Sequence, residues 1–592
     1  MGAVQHPSRL TGRARVLVLG LACCLALILA PGSRADQSDA WVDRQLQAMS
    51  TREKIGQLFV PQVFGTTADT TRAADVSRNL RTLGVRNAVE LVRTYGIGGI
   101  IYFGPNVTTP KALARFGNEV QMASAGNQVP IPVLTAVDQE QGIVVRVRAP
   151  ATVLPGSMAL GASGSTQSAE LAARITAEEL RAMGVFANYA PVADVNVNPR
   201  NPVIGVRSFS SDPNLVARMV AAQVRGYQRG GVAATAKHFP GHGDTAVDSH
   251  VDLPRISHDR ASLEAIDLVP FKAAIDAGVD AIMIGHLLVP AVDPSGLPAT
   301  MSPAIITGLL RGRLGFTGVV VTDSLRMAGV RTTYSDGEIA VRAILAGADQ
   351  LLDPPSLPTA HAAVLQAVNS GRISEDRLDA SVRRILHLKA SLGLTDPASA
   401  TVDVARVPGI VGSAVHRQQA QQIADQTTTL VADRGQVPIT RLSSRRILVT
   451  GSGEWPTKAL ATALVDRGAK VTVLESGSQP DAARIREVES AARSADVVVV
   501  LTRDAGKSQR TLVANLQRSG TPVIVASTGA PYDLGTLPDG VSALATYSDR
   551  PVAMVALARV LAGEIPAVGR LPVSIPASSA GPGYRIGWQA PR

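Results

Sequence analysis

Cysteine is almost absent. The 592 residues contain two, Cys23 and Cys24, and both lie inside one apolar run near the N-terminus. Without that run the chain has no thiol, which excludes disulfides, thiolate nucleophiles and Cys-ligated metal sites. Membrane-length apolar stretches are absent too. The run at 16–30 has 15 residues, short of the ~20 needed to span a bilayer, and nothing later approaches it. No block of Lys or Arg runs through the body, so nucleic acid is not an expected partner.

What is there is a globular balance: 45% hydrophobic and 18% charged residues, which excludes a wholly disordered chain. The length predicts several domains, or one barrel plus a smaller unit. Of the net +10, four charges come from Arg9, Arg13, Arg15 and Arg34, which have no acidic neighbour in the first 35 residues. Three of these arginines precede the apolar run. Ser33 and Ala35 then fit a small-x-small cleavage site. Residues 1–35 therefore read as a secretory signal peptide. The expected location is secreted or cell-envelope associated, with no stable membrane insertion after cleavage.

A helical pattern covers 41–59. From there to about Leu394, short apolar runs ending in a polar residue alternate with helix-like segments. The runs lie at 57–65, 97–104, 132–140, 185–195, 232–239, 279–286, 316–323 and 346–354. Near-continuous apolar strands alternating with helices imply a parallel sheet buried on both faces. Eight such units imply an α/β fold with an N-terminal (β/α)8 TIM-like barrel. The predicted catalytic domain is 36–395. Residues 396–427 read as a linker with a connecting helix at 416–427. Residues 428–592 read as a doubly wound α/β sandwich domain with strands at 445–451, 470–476, 495–502, 521–528 and 542–548. Gly451 and Gly453 follow a strand, but Pro456 stands where a dinucleotide fingerprint needs glycine.

The barrel runs end on Asp138, Asp194, Lys237–His238, His286, Asp323 and Asp353. In a parallel barrel these ends converge on one face, where active sites are built. The densest segment, 233–254, holds His238, His242 and His250 with Asp244, Asp248 and Asp252. It can be read as a metal site, as a structural loop with satisfied histidines, or as a loop carrying a proton-transfer pair. His250 with Asp248 two residues before it suits the last reading, because a carboxylate can hold the imidazole tautomer and raise its basicity. Asp323 follows a β-favouring run, where a carboxylate can attack an anomeric carbon.

The motifs EKIGQLF (53–59), DQE (138–140), LPGSMALGA (154–162), NPVIGVRSFSSDP (201–213), KHFPGHGDTAVDSH (237–250), VVVTDSLRM (319–327) and GRLPVSIP (569–576) extend across nearly the whole chain. On them it resembles glycoside hydrolase family 3, in its β-N-acetylglucosaminidase (β-N-acetylhexosaminidase) branch. The resemblance implies Asp323 as nucleophile and His250 as acid/base oriented by Asp248. It implies Asp138, Arg146, Arg207, Lys237 and His238 as sugar-binding residues. It also implies a monomer that needs no metal or organic cofactor and acts on cell-wall-derived, N-acetylglucosamine-containing glycan. The expected reaction is retaining removal of terminal β-linked N-acetylglucosamine from peptidoglycan fragments or chitooligosaccharides. Phosphorolysis and non-catalytic wall-glycan binding are the alternatives. Two positions depart from the family pattern. Gln141 replaces the first of a glycine pair, which predicts a reshaped turn. Val206 replaces an Asp, which predicts that Arg207 lacks a positioning partner.

Overall fold

A computed structural model describes residues 34–249, 252–331, 333–578 and 583–591. The segment read as a signal peptide therefore lies almost entirely outside the described residues, and so does His250.

All eight expected runs contain strands: β1 (Phe59–Val60), β2 (Gly99–Tyr102), β3 (Leu134–Val137), β4 (Ala187–Asn188), β5 (Ala233–Phe239), β6 (Ala281–Ile284), β7 (Val319–Thr322) and β8 (Leu351–Leu352). Strands β2 to β7 form one parallel sheet in chain order, and β1 pairs parallel with β8. Parallel bridges Gln62↔Ile101 and Val321↔Gln350 join the two sheets and close the barrel. The strands are shorter than the apolar runs because the run continues into the loop beyond each strand. In the fourth run Pro191 has no N–H for the ladder, which resumes only as the Val192↔Lys237 bridge. Burial is complete along every barrel strand, as a sheet wrapped by helices requires.

The expected single helix at 41–59 is two helices, Arg34–Ala48 and Thr51–Gln57. Ser50 breaks the run. Its hydroxyl accepts the Glu53 N–H while the Glu53 carboxylate accepts the Ser50 N–H, a reciprocal cap.

The second domain is a six-stranded sheet, one strand more than expected. Its strands are β9 (Thr429–Ala432), β10 (Arg446–Gly451), β11 (Lys470–Glu475), β12 (Val497–Thr502), β13 (Val523–Ser527) and β14 (Ser542–Ala545), in the order β11-β10-β12-β13-β14-β9. The missed strand, β9, is a short antiparallel edge strand beside β14. Helices Glu454–Val465 and Pro551–Leu561 cover one face. The other face packs on Ala482–Ala492 and Lys507–Arg518, together with Met158, Ala159 and Ala162 of the first domain. The two domains thus share a core. The connecting helix, Ala414–Ala424, lies against Thr166–Ala182 of the barrel and Pro551–Leu561 of the second domain.

Among the described residues one lysine sits wholly inside the packing. Lys389 of helix Glu375–Ser391 is 0% exposed, with its ammonium 2.7 Å from the Gln57 side-chain oxygen. Burial pushes its pKa down to about 7. Between that value and the unfolded pKa of about 10.4, the unfolded chain holds a proton that the folded chain does not. Stability therefore rises with pH across this window. Relative to Lys389→Met, the wild type is expected to gain about 2 kcal/mol between pH ~7 and pH ~9. Urea denaturation at both pH values checks this. A parallel pH response in the two proteins would refute a neutral Lys389.

Candidate active site

A cavity of about 440 Å³ opens at the C-terminal mouth of the barrel, a size that suits a small ligand. Asp138, Arg146, Arg207, Lys237, His238 and Asp323 all line it. Six of the eight residues expected at the site are thus brought together. Asp248 lies half-buried in the loop after β5.

The mouth is organised by ion pairs between buried groups. Lys237 Nζ lies 2.7 Å from Asp138 Oδ1 and 2.7 Å from Glu140 Oε1. Arg207 Nε and Nη2 donate to the two Glu140 oxygens, each at 2.8 Å. This corrects the expectation drawn from Val206: Arg207 has a bidentate partner, and it comes from the DQE segment. Burial works against the Glu140 charge, but Arg207 and Lys237 outweigh it and hold the carboxyl far below its usual range. Burial likewise opposes the Lys237 charge, and Asp138 and Glu140 raise its pKa instead.

The DQE segment uses each of its side chains. Asp138 and Glu140 hold cations. Gln139 accepts the N–H groups of Arg146 and Val147 and donates to the Val147 carbonyl at 2.9 Å, which pins the turn that brings Arg146 to the cavity. Arg146 then stacks over the Phe103 ring, 5.5 Å from its centroid. Gln141 has a left-handed backbone, φ 70°, at a cost of roughly 1–2 kcal/mol for a residue with a Cβ. The turn therefore keeps the geometry a glycine would take. The Gln141 side chain is buried and donates to Thr176 Oγ1 at 3.1 Å.

Asp323 follows β7 at the cavity wall. Its Oδ1 accepts the Ser324 N–H at 2.7 Å. Burial opposes its ionisation, but His238, His286, the Ser324 amide and Lys237 outweigh burial and leave its pKa below the ordinary value. Asp194, easily read as a cap, accepts the His238 ring Nδ1–H at 2.7 Å and the His242 backbone N–H at 2.7 Å. His238 Nε2 is left facing Arg207 Nη2 at 3.4 Å. Asp353 holds Arg326, another cavity residue, through contacts of 3.1 and 3.0 Å.

The histidines of the dense segment divide by role. His242 is buried against Thr245 and Ser249, and burial lowers its pKa to about 4. It is a satisfied internal histidine. His258, just beyond the segment, pairs with Asp267 at 2.5 Å. Among the described residues no group of three or more His, Cys, Asp or Glu is arranged to hold a metal ion.

Residues 50–388 match the glycosyl hydrolase family 3 N-terminal domain, and 428–586 match the family's C-terminal domain. The chain belongs to glycosyl hydrolase family 3. It is an enzyme of the glycosidase class. Beta-hexosaminidase A of Pseudoalteromonas piscicida is 32% identical over 551 residues, covering 82% of this chain and 90% of that one. Beta-N-acetylglucosaminidase/beta-glucosidase of Cellulomonas fimi is 32% identical over 582 residues, covering 92% and 98%. Among solved structures, a glycoside hydrolase family 3 beta-N-acetylglucosaminidase from Paenibacillus sp. str. FPU-7 is 38% identical, with a TM-score of 0.81, covering 90% of this chain and 100% of that one.

Glu140 was not among the residues expected at the site. Its signal in the sequence is its place in the DQE motif, two residues after Asp138; the structure adds the reason, since two buried cations require carboxylates. Replacing Glu140 by Gln leaves Arg207 without its carboxylate and Lys237 with Asp138 alone, and is expected to cost about 3 kcal/mol. Because its folded pKa is depressed, this contribution is complete above the unfolded value of about 4.3 and fades as pH falls below it. Denaturation of both proteins from pH ~8 to pH ~5 should therefore show a constant gap. A gap under about 1 kcal/mol would mean that the ion pairs are not energetically coupled to folding.

Proposed function

We propose that this chain is a retaining β-N-acetylhexosaminidase that removes terminal, non-reducing β-linked N-acetylglucosamine. Its substrates are peptidoglycan fragments or chitooligosaccharides met outside the cytoplasm, a location resting on the segment read as a signal peptide. The observation that carries the reading is the placement of Asp323. It is a carboxylate held ionised at a barrel strand end, in the same cavity as the Asp138–Lys237–Glu140–Arg207 network.

In the first step an Asp323 oxygen attacks the anomeric carbon and the glycosidic bond breaks. The departing oxygen takes its proton from His250, oriented by Asp248. In the second step water attacks the glycosyl ester, gives a proton to His250 and frees Asp323. Lys237, Arg207 and Arg146 donate hydrogen bonds to the sugar, and Asp138 accepts them. Charged partners make these bonds stronger than neutral ones, which suits a neutral, hydroxyl-rich ligand.

Asp323→Asn keeps the shape of the side chain and removes its nucleophilicity. Turnover of p-nitrophenyl β-N-acetylglucosaminide is expected to fall at least ~10³-fold. His250→Ala should lose activity on that substrate and keep more of it on one with a more acidic leaving group, which needs no proton. Substantial turnover by Asp323→Asn would sink the assignment. Absence of turnover by the wild type would leave glycan binding without catalysis. Running the assay with phosphate and looking for the sugar 1-phosphate separates hydrolysis from phosphorolysis.

A further inference from the structure

The segment from Asp194 to Asp212 carries Arg207 from the end of the β4 run to helix Pro213–Arg229. It is tied to itself and to the second domain. The Asn196 N–H donates to the Ser210 carbonyl at 3.0 Å, and Ser208 Oγ donates to the Asp194 carbonyl at 2.6 Å. On its outer side Asn196 Nδ2 donates to Tyr532 Oη at 3.0 Å. Ser210 Oγ and the Ser211 N–H both donate to the Pro572 carbonyl, at 2.5 and 3.1 Å. Val206, next to Arg207, packs on the apolar cluster that Met158, Ala159 and Ala162 of the first domain share with the second. From behind, helix Ser157–Ser163 presses so closely that a Cβ on Gly161 would lie 1.8 Å from the Phe209 carbonyl oxygen.

Every tie falls beside a residue of the site. Asn196 is two residues from Asp194, which orients His238. Ser210 is three residues from Arg207. We infer that the second domain sets sugar affinity by clamping this loop, with Tyr532 and Val206 as positioning residues that act through Asn196 and Arg207. On this inference Val206 is the apolar contact that seats the chain beside Arg207 on the core shared by the two domains. The inference rests on the reading of Arg207 as a sugar contact.

Tyr532→Phe keeps the ring and deletes the hydroxyl, a loss of one buried hydrogen bond. The KM for p-nitrophenyl β-N-acetylglucosaminide is expected to rise about 5–10-fold, with kcat changed less than about twofold. In an Arg207→Lys background Tyr532→Phe should add little further rise, because both changes act on one contact. Amide exchange across residues 195–211 should quicken in Tyr532→Phe and in Val206→Ala at unchanged melting temperature. Unchanged exchange in both variants overturns the inference. A KM effect fully additive with Arg207→Lys overturns it as well. If the wild type turns nothing over, the proposed reaction has failed, and the exchange measurement alone decides whether the clamp exists.

Discussion

Two cations buried at the mouth of the barrel share one carboxylate, Glu140. Lys237 and Glu140 are each almost wholly hidden from solvent, and Arg207 is little more exposed. An isolated charge at such depth costs several kcal/mol, so the arrangement persists only as a unit. Glu140 must stand beside both cations, which fixes the turn after β3. Gln139 pins that turn from inside, and Gln141 accepts a left-handed backbone to complete it. The same turn delivers Arg146. Asp194 does comparable work on the other side, holding the His238 ring and the start of the next loop. The shape of the cavity is thus largely a solution to a charge-burial problem.

The parts of this molecule legible in the sequence are those governed by short-range pattern. Eight apolar runs ending in polar residues became eight strands whose ends meet, because burial on both faces leaves a mark on every residue of a strand. The short edge strand β9 escaped notice because it has four residues and follows directly on the connecting helix. The break at Ser50 was written in a local cap but masked by apolar residues on both sides. The Glu140–Arg207 pair spans 67 residues, and no local pattern reports a partner that far away. His250 and Asp248 stand two apart in the chain, so their pairing was read from adjacency. His250 lies outside the described residues.

The two departures from the family pattern have different physical outcomes. Gln141 holds the backbone conformation and offsets part of its strain with a buried hydrogen bond to Thr176. Val206 instead changes what its position touches: a polar residue there would face the apolar cluster shared by the two domains, whereas valine packs on it. Neither departure disturbs the charges that line the cavity.

The connecting helix Ala414–Ala424 packs on both domains, and residues of the first domain complete the core of the second. Parting the domains at this junction would expose the apolar surface of Met158, Ala159 and Ala162. The cavity is lined by first-domain residues, so its width is set by the barrel's own strand ends and loops. Selection among glycans then falls to the outline of the rim.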